Sequence, residues 1–181
     1  MPSRGFTLLE LLIVVAIISV AAAVTVPQLS SSENDKLTLA ISEIANAIRF
    51  AQSEAVRAGE IRAVGVYPNT EQVEIGIPSI VSGNVTGMQS ILTHPVAKMP
   101  YDFQVDELPF AGGVTISNTV DPFSFDAFAP KTDVLLFDST GTPFWLDGGT
   151  TYLLSAGTVE VSYAGKSAQL SVSPIGRVTS P

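Results

Sequence analysis

The sequence predicts an α+β fold: one long N-terminal helix, its first half suited to a membrane, packed on a domain of antiparallel strands. Three observations carry this expectation. From Phe6 to Val26 the chain holds one charge, Glu10, in a run long enough at ~1.5 Å per residue to cross a hydrocarbon core of ~30 Å. From Lys36 onward apolar residues recur at three- and four-residue spacings, the period of a helix with one buried face. After Gly59 the period falls to two, in short runs punctuated by Gly, Pro, Asn and Asp.

The N-terminal segment poses an electrostatic problem. A carboxylate near the start of a membrane helix costs about 2.5 kcal/mol or more unless neutralised, which makes Glu10 a functional residue by default. No lysine or arginine stands between Arg4 and Lys36. A group suited to neutralise Glu10 is the α-amino group made by cutting between Gly5 and Phe6, its own or that of a second copy. That chemistry calls for a protease and an assembly. Three plainer readings compete. An ordinary secretory signal would use Arg4 as its basic region and Ala21-Ala22-Ala23 as its cleavage site, but the apolar run is too long and Glu10 has no role there. A simple anchor leaves Gly5, Phe6 and Glu10 unexplained. A buried core helix needs more surrounding chain than remains.

Val24-Thr25-Val26 precedes Pro27, which removes a backbone donor and biases its predecessor away from helix, so a kink belongs here. Ser30-Ser31-Ser32 weakens the helix between Pro27 and Asn34. This section is either a bend at the membrane surface or a part that melts and stretches in an assembly. Leu37, Ile41, Ile44, Ile48, Ala51 and Ala55 then form an apolar stripe, which Gly59 closes as the residue just past the helix end.

Ile61–Tyr67 and Val73–Ile77 flank the turn Pro68-Asn69-Thr70 as a hairpin. The stretch from Pro78 to Gly113 is so rich in Pro and Gly that only short strands are expected, such as Gln89–Leu92 and Asp102–Val105. Further strands are expected at Val114–Asn118, Val134–Phe137, Pro143–Leu146, Thr151–Leu154, Val159–Tyr163 and Gln169–Val172. Asp138-Ser139-Thr140-Gly141, Asp147-Gly148-Gly149 and Ala164-Gly165-Lys166 are the turns between them. The order of elements, one long helix and then many short strands, implies a helix laid across a twisted sheet.

Composition narrows the function. At 181 residues there is room for one membrane helix and one globular domain, and with 46% hydrophobic and 14% charged residues the chain is too apolar for disorder. A net charge of −8 repels phosphates, so no nucleic-acid partner is expected. The absence of cysteine excludes disulfides and thiolate metal sites. Arg4 before the apolar segment, with Glu33 and Asp35 after it, places the N-terminus in the cytoplasm and the remainder outside.

No catalytic constellation emerges. His94, the sole histidine, stands beside Pro95 in a loop and reads as a surface or packing residue. Asp121, Asp126, Asp133, Asp138 and Asp147 lie in or beside loops, where oxygen ligands could hold calcium, but their spacing matches no calcium loop and turn formation explains them. Trp145, beside Phe144 in a short strand, reads as core. No enzyme activity, metal or cofactor is expected.

Gly5-Phe6-Thr7-Leu8-Leu9-Glu10, with the apolar run behind it, resembles the class III signal of type IV pilins and type II secretion pseudopilins. The resemblance implies that a prepilin peptidase cuts between Gly5 and Phe6 and methylates the new amine of Phe6. It also implies that Glu10 pairs with a neighbouring subunit's N-terminus as the filament grows. Three further segments are similar to the H-type minor pseudopilins and their minor-pilin relatives, the GspH/FimT family: Arg49–Gly59, Leu136–Gly141 and Ser171–Val178. Ser79–Pro130 matches no pattern of the family and falls where its partner-specific surfaces vary.

The implied layout is a leader at 1–5, a transmembrane half-helix at 6–30, an amphipathic half at 31–59 and a periplasmic β-rich domain at 60–181, pilin-like as a whole. The expected function is that of a non-enzymatic minor pseudopilin in a type II secretion system. It would be a single-pass inner-membrane protein assembled into a periplasmic pseudopilus for protein export. The expected partners are the prepilin peptidase, other pseudopilin or pilin subunits and the lipid bilayer, with secreted cargo a further candidate. Two alternatives stay open: a minor pilin of a type IV pilus, serving adhesion, twitching or competence, and a membrane-anchored periplasmic binding module.

Overall fold

A computed structural model describes residues 8–25, 33–117 and 121–180, and the chain divides into two compact units, Met1–Ser32 and Glu33–Pro181. In the first unit, helix α1 spans Leu8–Thr25. The kink expected near Val26-Pro27, and the weak stretch at 27–32, lie outside the described residues.

In the second unit helix α2 spans Glu33–Ala58, starting ahead of Leu37, the first residue of the periodic stripe. Glu33 and Asp35 in its first turn and Arg57 in its last suit the helix dipole. The stripe is buried as expected: Ala40, Ile44, Ala45, Ala47, Ile48, Ala51 and Ala55 have no exposed surface, and Leu37 and Ile41 almost none. The helix stops at Gly59, whose φ of +67° turns the chain while the N–H groups of Gly59 and Glu60 both donate to the Ala55 carbonyl, at 2.9 and 3.3 Å. A left-handed residue past the helix end favours glycine, which has no Cβ to clash.

The strands are β1 (Arg62–Tyr67), β2 (Gln72–Val81), β3 (Asn84–Ile91), β4 (Asp102–Gln104), β5 (Thr115–Ile116), β6 (Phe123–Phe125), β7 (Phe128–Thr132), β8 (Val134–Phe137), β9 (Pro143–Asp147), β10 (Thr150–Tyr163), β11 (Lys166–Val172) and β12 (Val178–Thr179). They form an antiparallel sheet whose main path runs β12-β11-β10-β9-β8-β1-β2-β3, with β4 on β2, β5 and β6 on β10, and β7 on β6. The α+β fold expected from the sequence is thus the observed one, with α2 lying across β1, β2, β8, β10, β11 and β12. Alternation decides the faces. In β8, Leu135 and Phe137 belong to the core beneath α2, together with Val64, Val66, Val73, Ile75, Val161 and Leu170, while Leu136 points the other way and packs with Ala63 and Phe144.

Four expectations need correction. The stretch after Pro78 is not limited to short strands: β2 runs through Pro78 to Val81 and pairs with the eight-residue β3. Pro78 is tolerated because the register shifts between Ile77 and Pro78, where a missing N–H does not break a regular ladder. Thr151–Leu154 and Val159–Tyr163 are not separate strands but one, β10, which passes from β9 to β6 and β11 through an irregularity between Leu154 and Ala156. Strands β6, β7 and β12 were not anticipated, since two or three paired residues leave no readable alternation. The last hairpin closes over Ala164 and Gly165 alone, both at positive φ, and Lys166 already pairs with Tyr163.

The β2–β3 hairpin also has a tertiary role. Gly149 N–H donates to the Gly83 carbonyl at 3.1 Å and Gly148 N–H to Asn84 Oδ1 at 2.8 Å, so the hairpin tip meets the turn between β9 and β10. Val85 and Met88 of β3 then cover Ala63, Leu136 and Phe144, giving the sheet a small second core on its outer face.

Candidate assembly site

Helix α1 is apolar on every side. From Leu8 to Ile18 its large aliphatic side chains stand open, from 47% exposure at Val14 to 83% at Leu8. At ~25 cal/mol per Å² of apolar surface such a helix strongly favours a nonaqueous cover. Its one carboxylate, Glu10, is exposed in the first turn, where the helix dipole favours negative charge. The Ser19 hydroxyl donates to the Val15 carbonyl at 2.7 Å, so that it too is satisfied within the helix. Gly5 and Phe6, the expected cleavage pair, lie outside the described residues, as does part of the 6–30 span. Among the described residues no helix is long and apolar enough to cross a membrane.

In the second unit, three segments far apart in sequence meet at the C-terminal half of α2. Gln52 Nε2 donates to the Gly141 carbonyl at 2.8 Å, and Arg49 Nη2 donates to the Val178 carbonyl at 3.2 Å. A Cβ on Gly176 would come within 2.3 Å of Gln52 Nε2, and one on Gly141 within 3.1 Å of Val56. The segments Arg49–Gly59, Leu136–Gly141 and Ser171–Val178 therefore form one contact cluster around Gln52. Their joint occurrence in the sequence has a structural reason.

Asp138 organises the turn beside this cluster. Its Oδ1 accepts from the Thr140 N–H and hydroxyl and from the Thr142 N–H, at 2.8, 2.7 and 2.9 Å. Burial pushes its carboxyl up, but these donors outweigh burial and hold it below the ordinary carboxylate value. Asp133 behaves oppositely. Burial, then the charge of Asp121 and a hydrogen bond with it, raise its carboxyl, and among the described residues Asp133 Oδ1 is buried with no hydrogen-bond partner. Among the described residues, no group of three or more His, Asp and Glu side chains is arranged to hold a metal ion.

His94 Nδ1 accepts from the N–H groups of Val96 and Ala97, at 3.2 and 3.0 Å, and its ring meets Tyr101 edge-on at 4.3 Å. The imidazole thus shapes a loop. Trp145 packs partly buried against the core, 6.1 Å from Phe125. Two lysines that no local pattern singles out tie down the start of α2. Lys36 Nζ donates to the Gly112 carbonyl at 3.1 Å and the Tyr163 hydroxyl at 2.9 Å, and lies 4.3 Å from that ring's centre. Lys166 Nζ pairs with Glu33 at 3.0 Å. Their partners stand too far along the chain for any local pattern to have exposed them.

The family described as the prokaryotic N-terminal methylation motif matches residues 1–26. The fold is similar to that of the minor pseudopilin EpsH from the type 2 secretion system of Vibrio cholerae, with a TM-score of 0.52 and 14% identity over 81% of this chain and 97% of that one. The chain thus carries the N-terminal methylation motif at one end and, over the rest, a fold similar to that of a minor pseudopilin. It is 38% identical over 74 residues to a fimbrial protein of Pseudomonas aeruginosa, covering 40% of this chain and 47% of that protein. It is also 28% identical over 72 residues to type II secretion system protein H of Klebsiella pneumoniae, covering 40% and 42%. The chain spans less than half the length of these curated relatives.

Proposed function

We propose that the chain is a non-enzymatic minor pseudopilin, anchored in the inner membrane and assembled into a periplasmic pseudopilus for protein export. The observation that carries this reading is the N-terminal helix: apolar on all sides, with one acid in its first turn, directly behind a Gly5-Phe6 junction. A membrane holds such a helix before assembly, and lateral packing with other subunits covers it afterwards. Glu10 then meets the methylated amine of a neighbour's Phe6. The β domain stands outward to contact other minor subunits or cargo. Likeness to protein H of Klebsiella pneumoniae and to the fold of EpsH supports placement in a secretion system.

A second reading, a minor pilin of a type IV pilus, is favoured by the 38% identity to the Pseudomonas fimbrial protein. Both share processing and assembly, and the machine that co-purifies with the native protein separates them. Mass spectrometry of the native N-terminus should find N-methylated Phe6; any other start removes the processing claim, and Gly5→Ala should slow the cleavage. Glu10→Ala should leave membrane insertion intact while reducing filament incorporation about tenfold, the loss of one ion-paired contact. Wild-type incorporation of that variant would defeat the assembly role.

A further inference from the structure

In the second unit, apart from the Gln52 cluster, a crevice of about 420 Å³ opens beside α2, lined in part by Glu43, Met99, Tyr101, Asp102, Phe103 and Leu108. Its floor is firm: Tyr101 is 5% exposed, with its ring 5.1 Å from Phe50 and 6.3 Å from Phe103. Its rim is apolar and open. Met99 is 65% exposed, Val96 83% and Phe110, next to the lining Pro109, 82%. Such a group of open apolar side chains marks an interaction surface.

The rim is held in place by local structure. In the 93–100 loop, His94 N–H donates to the Met99 carbonyl at 2.8 Å and Lys98 N–H to the His94 carbonyl at 3.1 Å, and Thr93 bridges Pro100. Ala111 N–H donates to the Leu108 carbonyl at 3.1 Å and Gly113 N–H to the Asp106 carbonyl at 2.7 Å. Lys98 and Phe110 both sit at positive φ, +57° and +66°, which is unfavourable for residues with bulky side chains and persists only where neighbours impose it. Presenting Phe110 to solvent in a strained backbone costs stability twice, and this points to a use outside the folded monomer.

Charge identifies the occupant. Glu43 and Asp102 line the crevice, and Asp106 and Glu107 directly precede Leu108, against Lys98 in the same loop. A lipid surface would have to desolvate these carboxylates. A second copy of this chain has few cations to offer. Lys36, Arg49, Arg57, Arg62 and Lys166 are each engaged by the chain's own groups and Arg4 lies outside the described residues, so a copy with the same net charge of −8 could bring only the exposed Lys131 and Arg177 beyond the crevice's own Lys98. We infer that this crevice docks a different protein, through a segment that lays apolar side chains against Met99 and against Phe110 beside the lining Pro109, and a lysine or arginine against Glu43 and Asp102. This deepens the reading of the chain as a filament subunit, since it makes the preferred neighbour a basic, non-identical protein.

The test uses the full chain in an uncharged maltoside detergent, with its methionine methyl groups isotopically labelled. Met99 reports on the crevice, while Met88, in the outer-face core, serves as internal control. The probes are synthetic peptides of alternating leucine and lysine, or leucine and glutamate. The lysine peptide should shift the Met99 signal alone and saturate. Its affinity should fall with added salt and drop roughly tenfold in Glu43→Gln/Asp102→Asn and in Met99→Ser/Phe110→Ser. These exposed or rim substitutions should leave thermal unfolding unchanged. Equal binding of the glutamate peptide, a response insensitive to the variants, no response, or concentration-dependent change at Met99 without peptide would each overturn the proposal, the last by identifying a second copy as occupant. A chain that enters filaments but ignores the lysine peptide loses only this surface; one that binds it but never enters filaments loses the filament reading instead.

Discussion

At Asp138 one carboxylate oxygen accepts three hydrogen bonds that keep the β8–β9 turn closed against α2. Asp138→Ala should therefore destabilise the domain by about 2 kcal/mol, the usual worth of hydrogen bonds to a charged group. Because the folded carboxyl titrates below its ordinary 3.8, this stabilisation is present above that value and is lost as pH falls through the folded one. Urea titrations of both proteins at pH 7 and pH 3 should show the gap narrowing in acid. Asp133 has the opposite sign. Its carboxyl titrates above 3.8 when folded, so ionising it near Asp121 costs stability, and the loss sets in as pH rises through the folded value. Asp133→Asn should raise the melting temperature at pH 7, with the advantage fading in acid; a lower melting temperature at pH 7 would refute the account. The backbone carbonyl of Asp133, which accepts from Val66 N–H at 2.8 Å, is untouched by this change. Sequence reading saw these aspartates as turn residues, which Asp138 is. That Asp121 reaches Asp133 was invisible, since nothing in a local pattern says which loops meet.

At the scale of elements, legibility followed period and length. The stripe of α2 was readable because six apolar positions share one face over five turns, and all six are buried. Ile44, with no exposed surface, should cost about 2–5 kcal/mol when cut to alanine, as cavities in close-packed cores do, measurable by chemical denaturation. Strand β10 shows the limit. It crosses from one set of partners to the next, and Gly157 sits where β6 and β11 close on it from both sides. A Cβ there would lie 2.9 Å from Val172 Cβ and 3.1 Å from Phe123 Cδ1. Gly157→Val should destabilise by about 1–3 kcal/mol through overpacking. An unchanged unfolding midpoint would mean that β6 is not seated as described. In sequence, that glycine looks like an interruption between two strands; in the fold it lets one strand serve both.

At the scale of the molecule, the core of Glu33–Pro181 draws on its helix and on strands along most of its length. A chain beginning at Glu33 should fold alone and unfold in one cooperative step, with circular dichroism and tryptophan fluorescence transitions coinciding. Loss of α2 in that truncation, or two separate transitions, would show that the first unit is needed for folding. Lys36 and Lys166 bear directly on this outcome, because they hold the first turns of α2 to β10 and β11 through Tyr163 and Glu33.

The sequence by itself determined the fold class, the helical stripe, most of the central strands and the N-terminal methylation motif over residues 1–26. Each depends on residue type and short-range spacing, which a linear pattern preserves. Only the tertiary structure decided that Gln52, Gly141 and Gly176 share one cluster, that the β2–β3 hairpin covers the outer face of the sheet, and that Met99, Leu108, Glu43 and Asp102 line one open crevice. Those arrangements join residues separated by long stretches of chain, and they arise from how loops close and sheets twist rather than from any period the sequence carries.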